Sequence, residues 1–184
     1  MVVMATDQVI HCLVVFLIGK RSYVSFIYAV NNYIQRRQLW KDLCVHKRFV
    51  GQHPWTIMRD FNASLSLDDS TSGSSNINII MREFQECIKE INMVDVNYTG
   101  LHYTWNQSPN SVTGILKKID RVMANDKFIE EYPDAYVIFQ PYRISDHTPM
   151  VLKLPDMSGS KPKPFKFGNF VVHHEEFKRT VTNG

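Results

Sequence analysis

The sequence predicts an α/β fold, on three observations. Short runs rich in β-branched and aromatic residues recur at 9–18, 24–29, 55–58, 116–124, 135–139 and 150–154. Among them lie two segments whose apolar residues repeat at helical spacing, 34–45 and 77–91. That mixture marks helices packed on sheets. The third observation is the polar groups at strand ends. Asp60-Phe61-Asn62, Asp120 and Ser145-Asp146-His147 each stand at the edge of an apolar run. Loops at such edges carry function, so the three groups are expected to converge at one rim of a sheet.

The runs at 9–18 and 24–29 are separated by Gly19-Lys20-Arg21-Ser22, which supplies turn chemistry for a hairpin. The first run is too short to span a bilayer and has Asp7 where a secretory leader would carry a basic residue. It reads as a strand buried on both faces. Asn31 or Asn32 caps a helix over 34–45, with Leu39, Trp40, Leu43 and Cys44 as its apolar stripe. Arg36, Arg37 and Lys41 read as its solvated face. Residues 55–58 form a strand that ends at the Asp60 turn, and 67–78 form a Ser-rich surface loop. Ile77, Ile80, Met81, Phe84, Ile88 and Ile91 mark the clearest helix, capped by a serine or Asn76. Tyr103, Thr104 and Trp105 suggest a strand, with the aromatics in the core. Residues 116–124 form a strand carrying Asp120, and Asn125 caps a short helix that Pro133 ends. Strands at 135–139 and 150–154 flank the Ser-Asp-His loop. From Pro155 a Ser/Gly/Pro/Lys-rich linker leads to Phe165, Phe167 and Phe170 and a short helix near 174–182.

A chain of 184 residues suits one domain. Its 44% hydrophobic and 21% charged content excludes a disordered chain. The net charge of +3 permits a phosphate-bearing partner without demanding one. Cys12, Cys44 and Cys87 are odd in number and widely spaced, which argues for buried free thiols in a reducing compartment. That places the chain inside the cell, with no membrane partner.

The order and spacing of six segments carry a resemblance. They are IYAVN (27–31), QRRQLW (35–40), PWTIMRDFN (54–62), GLHYTWN (100–106), KKIDRVMAN (117–125) and SDHTP (145–149). Together they resemble the endonuclease/exonuclease/phosphatase superfamily, and within it the endonuclease domain of plant LINE-type (non-LTR) retrotransposons. The resemblance runs from about residue 8 to about residue 180. It implies a two-sheet α/β/β/α sandwich over 1–154, with 155–184 as a linker and tail of the kind that leads to a reverse transcriptase. It implies Mg²⁺-dependent nicking of DNA, and a nuclear location.

Cleaving a phosphodiester needs an activated water, stabilised charge on the phosphate oxygens and help for the leaving group. His147 titrates near neutrality and suits a base or a transition-state donor. The resemblance gives Asp120 the task of holding its imidazole; as a plain residue Asp120 pairs with Arg121 or Lys118. Asp60 and Asn62, two apart on an extended segment, point the same way and hold a water between them; the plain alternative is an Asx turn. Asp60, Asn62, Asp146 and His147 are the expected Mg²⁺ ligands. Tyr28 and Asn31 match positions that contact the substrate phosphate.

Two departures from the family pattern stand out. An N-terminal third with an Asn and the main metal-binding Glu has no counterpart, so the chain is expected to be an N-terminally truncated domain with weak or absent activity. The family usually has Gly where Arg59 stands, and glycine there implies an unusual backbone angle. Alternative roles are a non-catalytic nucleic-acid-binding remnant and a phosphoesterase acting on a small phosphate ester. Loss of partner strands is expected to leave an exposed sheet edge or face near 9–18, and with it self-association.

Overall fold

The computed structural model describes residues 1–16, 19–71, 76–108 and 114–154. The linker, the Phe-rich tail and the helix expected near 174–182 lie outside the described residues. The chain opens with a short strand β1 (Val2–Ala5), which its sequence did not announce. The hairpin follows as β2 (Val9–Val15) and β3 (Arg21–Tyr28). Helix α1 (Tyr33–Val50) is capped by the Asn32 side chain, which accepts from the amides of Ile34 and Gln35. It crosses over to β4 (Trp55–Asp60), parallel to β3. A 3₁₀ turn (Leu67–Asp69) interrupts the loop before α2 (Ile79–Ile91). The cap of α2 is Asn78 rather than a serine or Asn76.

After α2 come β5 (Val94–Asp95), β6 (Tyr98–Gly100) and β7 (Trp105–Asn106). The single strand expected over 116–124 is split. Its first part is β8 (Leu116–Lys117), which pairs with β7; its second is β9 (Asp120–Ala124), which joins the large sheet. At the switch the Ile119 and Asp120 amides donate to the Thr104 hydroxyl instead of to a strand partner. Helix α3 (Asp126–Glu131), β10 (Tyr136–Phe139) and β11 (Met150–Lys153) complete the order. The large sheet runs β1-β2-β3-β4-β9-β5 and a small one runs β11-β10-β6.

Helices α1 and α2 cover one face of the large sheet. Leu39, Trp40 and Leu43 of α1 and Phe84, Ile88 and Ile91 of α2 bury against Val9, Ile27, Trp55, Ile57 and Phe61. The amphipathic spacing of each helix selects that face. A second cluster joins Val122 and Ala124 to Phe128, Val137 and Phe139, with Met58, Met150 and Leu152 packed against it. The small sheet therefore covers β9 and β4. It stops before β2 and β3, where the cross-strand partners Ile10 and Phe26 are 46% and 42% exposed. So β2 is buried on one face only, and the apolar run at 9–18 was a poor guide to two-sided burial. The three cysteines are free; Cys87 is buried, Cys12 and Cys44 half-buried.

Candidate functional site

The register of the large sheet sets up the site. Asp60 closes β4 and is paired with Tyr28 of β3 on one side and Asp120 of β9 on the other. Three polar residues from distant parts of the chain thus share one row at one end of the sheet. The Asp60 turn is tight. The Asn62 amide donates to Asp60 Oδ1 at 2.8 Å, and Asn62 Nδ2 donates to Asp60 Oδ2 at 3.2 Å and to the Ala29 carbonyl at 2.6 Å. Asn62 has φ +49°, so the two side chains meet through an Asx turn, not along an extended segment as expected. Just before it, Arg59 adopts φ +99°, the unusual angle that a glycine at this position implied.

His147 arrives from the loop before β11. Its Nδ1–H donates to Asp120 Oδ2 at 2.9 Å, and Nε2 makes no hydrogen bond among the described residues. Asp120 does not pair with Arg121 or Lys118. Arg121 instead pairs with Asp69 and Asp95, and Lys118 lies 3.7 Å from Asp95. Asp69 is buried and its Oδ2 accepts from the amides of Leu65 and Ser66, which fixes the loop beside the site. The Ser-rich loop is therefore not simply surface.

Thr104 ties Asp120 to the His147 loop. Fully buried, its Oγ1 accepts from the amides of Ile119 and Asp120 at 3.1 and 2.9 Å, while its carbonyl accepts from Thr148 N at 2.8 Å. Trp105 holds the next residue over: its indole N–H donates to Asp146 Oδ2 at 3.0 Å. Asp146 is exposed. Trp105 is half-buried and borders the site, so it is not the core aromatic the sequence suggested.

These groups border an open cleft of about 790 Å³. Tyr28, Asn31, Asp60, Asn62, Asp146 and His147 all border it, and Asp120 stands behind His147. The sequence reading missed Thr104, Trp105, Lys117 and Arg36. Arg36 is the plainest correction. It is 2% exposed, not part of a solvated face. The signal was present in its spacing, because 36, 39, 40 and 43 fall on one stripe of a helix.

Charge in the cleft follows from burial. Asp60 is 7% exposed, and desolvation pushes its carboxyl up to about 6. The Asp120 charge adds to the rise; the Asn62 amide, His147 and Arg36 oppose it. His147 moves above the ordinary histidine value, mainly through its hydrogen bond to Asp120. The site therefore pairs an imidazole whose protonated form is favoured by Asp120 with a carboxyl that ionises near 6.

Mg²⁺ favours converging oxygens, mostly carboxylate, phosphate and water. The four expected ligands do not supply them as arranged. Only Asp60 and Asp146 are carboxylates; both Asp60 oxygens accept from Asn62 and Asp146 Oδ2 accepts from Trp105, each oxygen keeping a further lone pair. Among the described residues no three His, Cys, Asp or Glu side chains gather into a metal site. The donors present do not fit the ion by themselves.

No family model and no curated protein matches the sequence. Solved structures do match. One is the endonuclease domain of TRAS1, a telomere-specific non-LTR retrotransposon, at TM-score 0.64 and 12% identity, over 83% of this chain. Another is a beta toxin from Staphylococcus aureus, at TM-score 0.52 and 16% identity, over 80% of this chain. This chain spans 66% of the first and 57% of the second. The fold is endonuclease/exonuclease/phosphatase-like. No helix among the described residues is long and apolar enough to cross a membrane.

Proposed function

We propose that this endonuclease/exonuclease/phosphatase-like chain is a DNA-directed endonuclease domain of LINE-type retrotransposon ancestry, with weak cleavage of its own. The observation that carries the reading is the Asp120–His147 hydrogen bond beside the buried Asp60 in one cleft. Nucleic acid is favoured as the substrate because the retrotransposon endonuclease domain shares the fold over most of this chain.

The residues suit the proton transfers of phosphodiester hydrolysis. Asp60, titrating near 6, accepts the proton of an attacking water at neutral pH, and the Asn62 bonds fix the direction of that carboxylate. His147 presents its free Nε2 side to the phosphate and donates to an oxygen as negative charge develops. Asp120 fixes its tautomer and stabilises the imidazolium. Tyr28 and Asn31 border the same cleft and position the phosphate. Bound Mg²⁺ would polarise the phosphate oxygens. The described donors do not gather into a site for it. The proton-transfer half of the chemistry is thus present without a complete metal half, which is why cleavage is expected to be weak.

The test is binding and nicking together. The purified chain should bind DNA with an affinity that falls steeply with salt. In Mg²⁺ its nicking of supercoiled plasmid should stay near the level of His147→Ala. Failure to bind DNA at low salt would overturn the reading. Vigorous nicking that His147→Ala abolishes would overturn the claim of weak cleavage.

A further inference from the structure

We infer that Arg36 is the fixed anion-holding cation of the cleft, with its unpaired Nη1 group meeting a phosphate oxygen of the bound strand. The ligand class rests on the phosphodiester reading above. The inference itself rests on the guanidinium's surroundings. Arg36 sits in the first turn of α1 and borders the cleft along with Asp60, Asn62 and His147. Its Nε donates to the Val30 carbonyl and its Nη2 to the Asn31 carbonyl, both at 3.0 Å. Those two bonds fix the fork in place and hold the segment between Tyr28 and α1. Nη1 is buried and has no hydrogen-bond partner among the described residues.

A buried guanidinium with an idle donor is unfavourable, and native proteins rarely keep one without a use. No carboxylate forms an ion pair with Arg36 among the described residues. Asp60 and Glu83 act on it only as nearby charges. The cleft therefore holds a buried cation whose charge is offset only from a distance, with no carboxylate bonded to it among the described residues. An oxygen from outside the chain is the partner it lacks. Phosphate fits best, because a planar fork held at two corners presents the third as a directed donor. Lys117 also borders the cleft, but its ammonium lies 5.6 Å over the Trp105 ring and is a softer, movable charge. Arg37, the next residue along the helix, is the natural control. It is exposed and pairs with Glu83.

The experiment compares the whole chain with Arg36→Gln, Arg36→Lys and Arg37→Gln. Anisotropy of a labelled short duplex is read across a salt series, and melting is followed with and without inorganic phosphate. Arg36→Gln is expected to lose about tenfold or more in affinity and to flatten the log–log salt slope by about 0.9, the loss of one phosphate contact. Phosphate should raise the melting temperature of the parent and of Arg37→Gln, but not of Arg36→Gln. Arg36→Lys should fall between parent and Arg36→Gln in affinity. A folded Arg36→Gln with parental affinity and slope overturns the inference. If Arg36→Gln does not fold, Arg36→Lys decides: parental affinity and an unchanged response to phosphate overturn it. A parent that binds no DNA but is stabilised by phosphate through Arg36 would sink the DNA reading and leave this one standing.

Discussion

The burial of Asp60 makes a quantitative claim about stability. Its carboxyl ionises near 6 in the folded chain and near 3.8 when unfolded. Between those values the native state holds a proton that the unfolded state has released. Stability therefore falls as pH rises from about 4 to about 6, and the full penalty stands above that window. A shift of about two pKa units corresponds to about 3 kcal/mol. Asp60→Asn removes the ionisable group and keeps an oxygen for the Asn62 amide. It loses the 3.2 Å bond from Asn62 Nδ2, worth about 1 kcal/mol. The variant should be more stable than the parent by about 2 kcal/mol at pH 8, or roughly 4–8 °C for a chain of this size. Near pH 4 the gain should vanish or turn to a small loss. Urea unfolding of both proteins at pH 4.5, 6 and 8 measures it. A stability difference that does not change with pH, or a loss at pH 8, would refute the argument that desolvation governs this carboxyl.

Other outcomes follow from neighbouring residues. Arg59→Gly should stabilise by up to about 2.5 kcal/mol: relief of about 1–3 kcal/mol at φ +99°, less about 0.5–1 kcal/mol for glycine's lost freedom. Arg59→Ala, which keeps a Cβ, should not; shifts in urea midpoint at constant slope distinguish the two. Asp120→Asn should lower the His147 pKa toward the ordinary histidine value, read by NMR titration of the imidazole, because its hydrogen bond to Asp120 is the main cause of the rise. Thr104→Val leaves the Ile119 and Asp120 amides without their acceptor and should destabilise by at least about 2 kcal/mol in the same denaturation assay. Ile10→Lys with Phe26→Lys should leave the chain folded and its light scattering no higher than the parent's, since both side chains are partly exposed; an unfolded double variant would mean that this face is covered.

Much of this site was legible in residue order, and the reason is geometric. Asp60, Asp120 and His147 were marked by their positions at the ends of apolar runs, and register alone then aligns the first two across β4 and β9. Helix α2 was readable because six apolar residues keep one period. What escaped was whatever depends on contacts across the fold. The split of the 116–124 segment turns on Thr104, a residue with no local signature, whose hydroxyl serves two amides 15 and 16 residues away. Trp105 looked like core because aromatic residues usually are; its indole N–H instead serves Asp146. The two-sided burial expected for residues 9–18 failed because the extent of the small sheet is not written in the strand it would cover.

Three unfavourable features meet where β4 ends and α1 begins. Arg59 carries a backbone angle suited to glycine, Asp60 is a buried carboxylate, and Arg36 is a buried cation with an idle donor. Each alone destabilises by about one to a few kcal/mol. They persist because β4 is paired on both sides and anchored by Trp55, Ile57 and Phe61, all essentially inaccessible to solvent. A strand so well held can keep strained groups at its tip without fraying. The opposite charges of Asp60 and Arg36 also moderate each other without forming a closed pair, so both stay available to a ligand. A core built for stability alone would have closed that pair or replaced it with apolar side chains. The conflict between local preference and observed structure is concentrated at the cleft, which is the pattern expected of the proposed binding site.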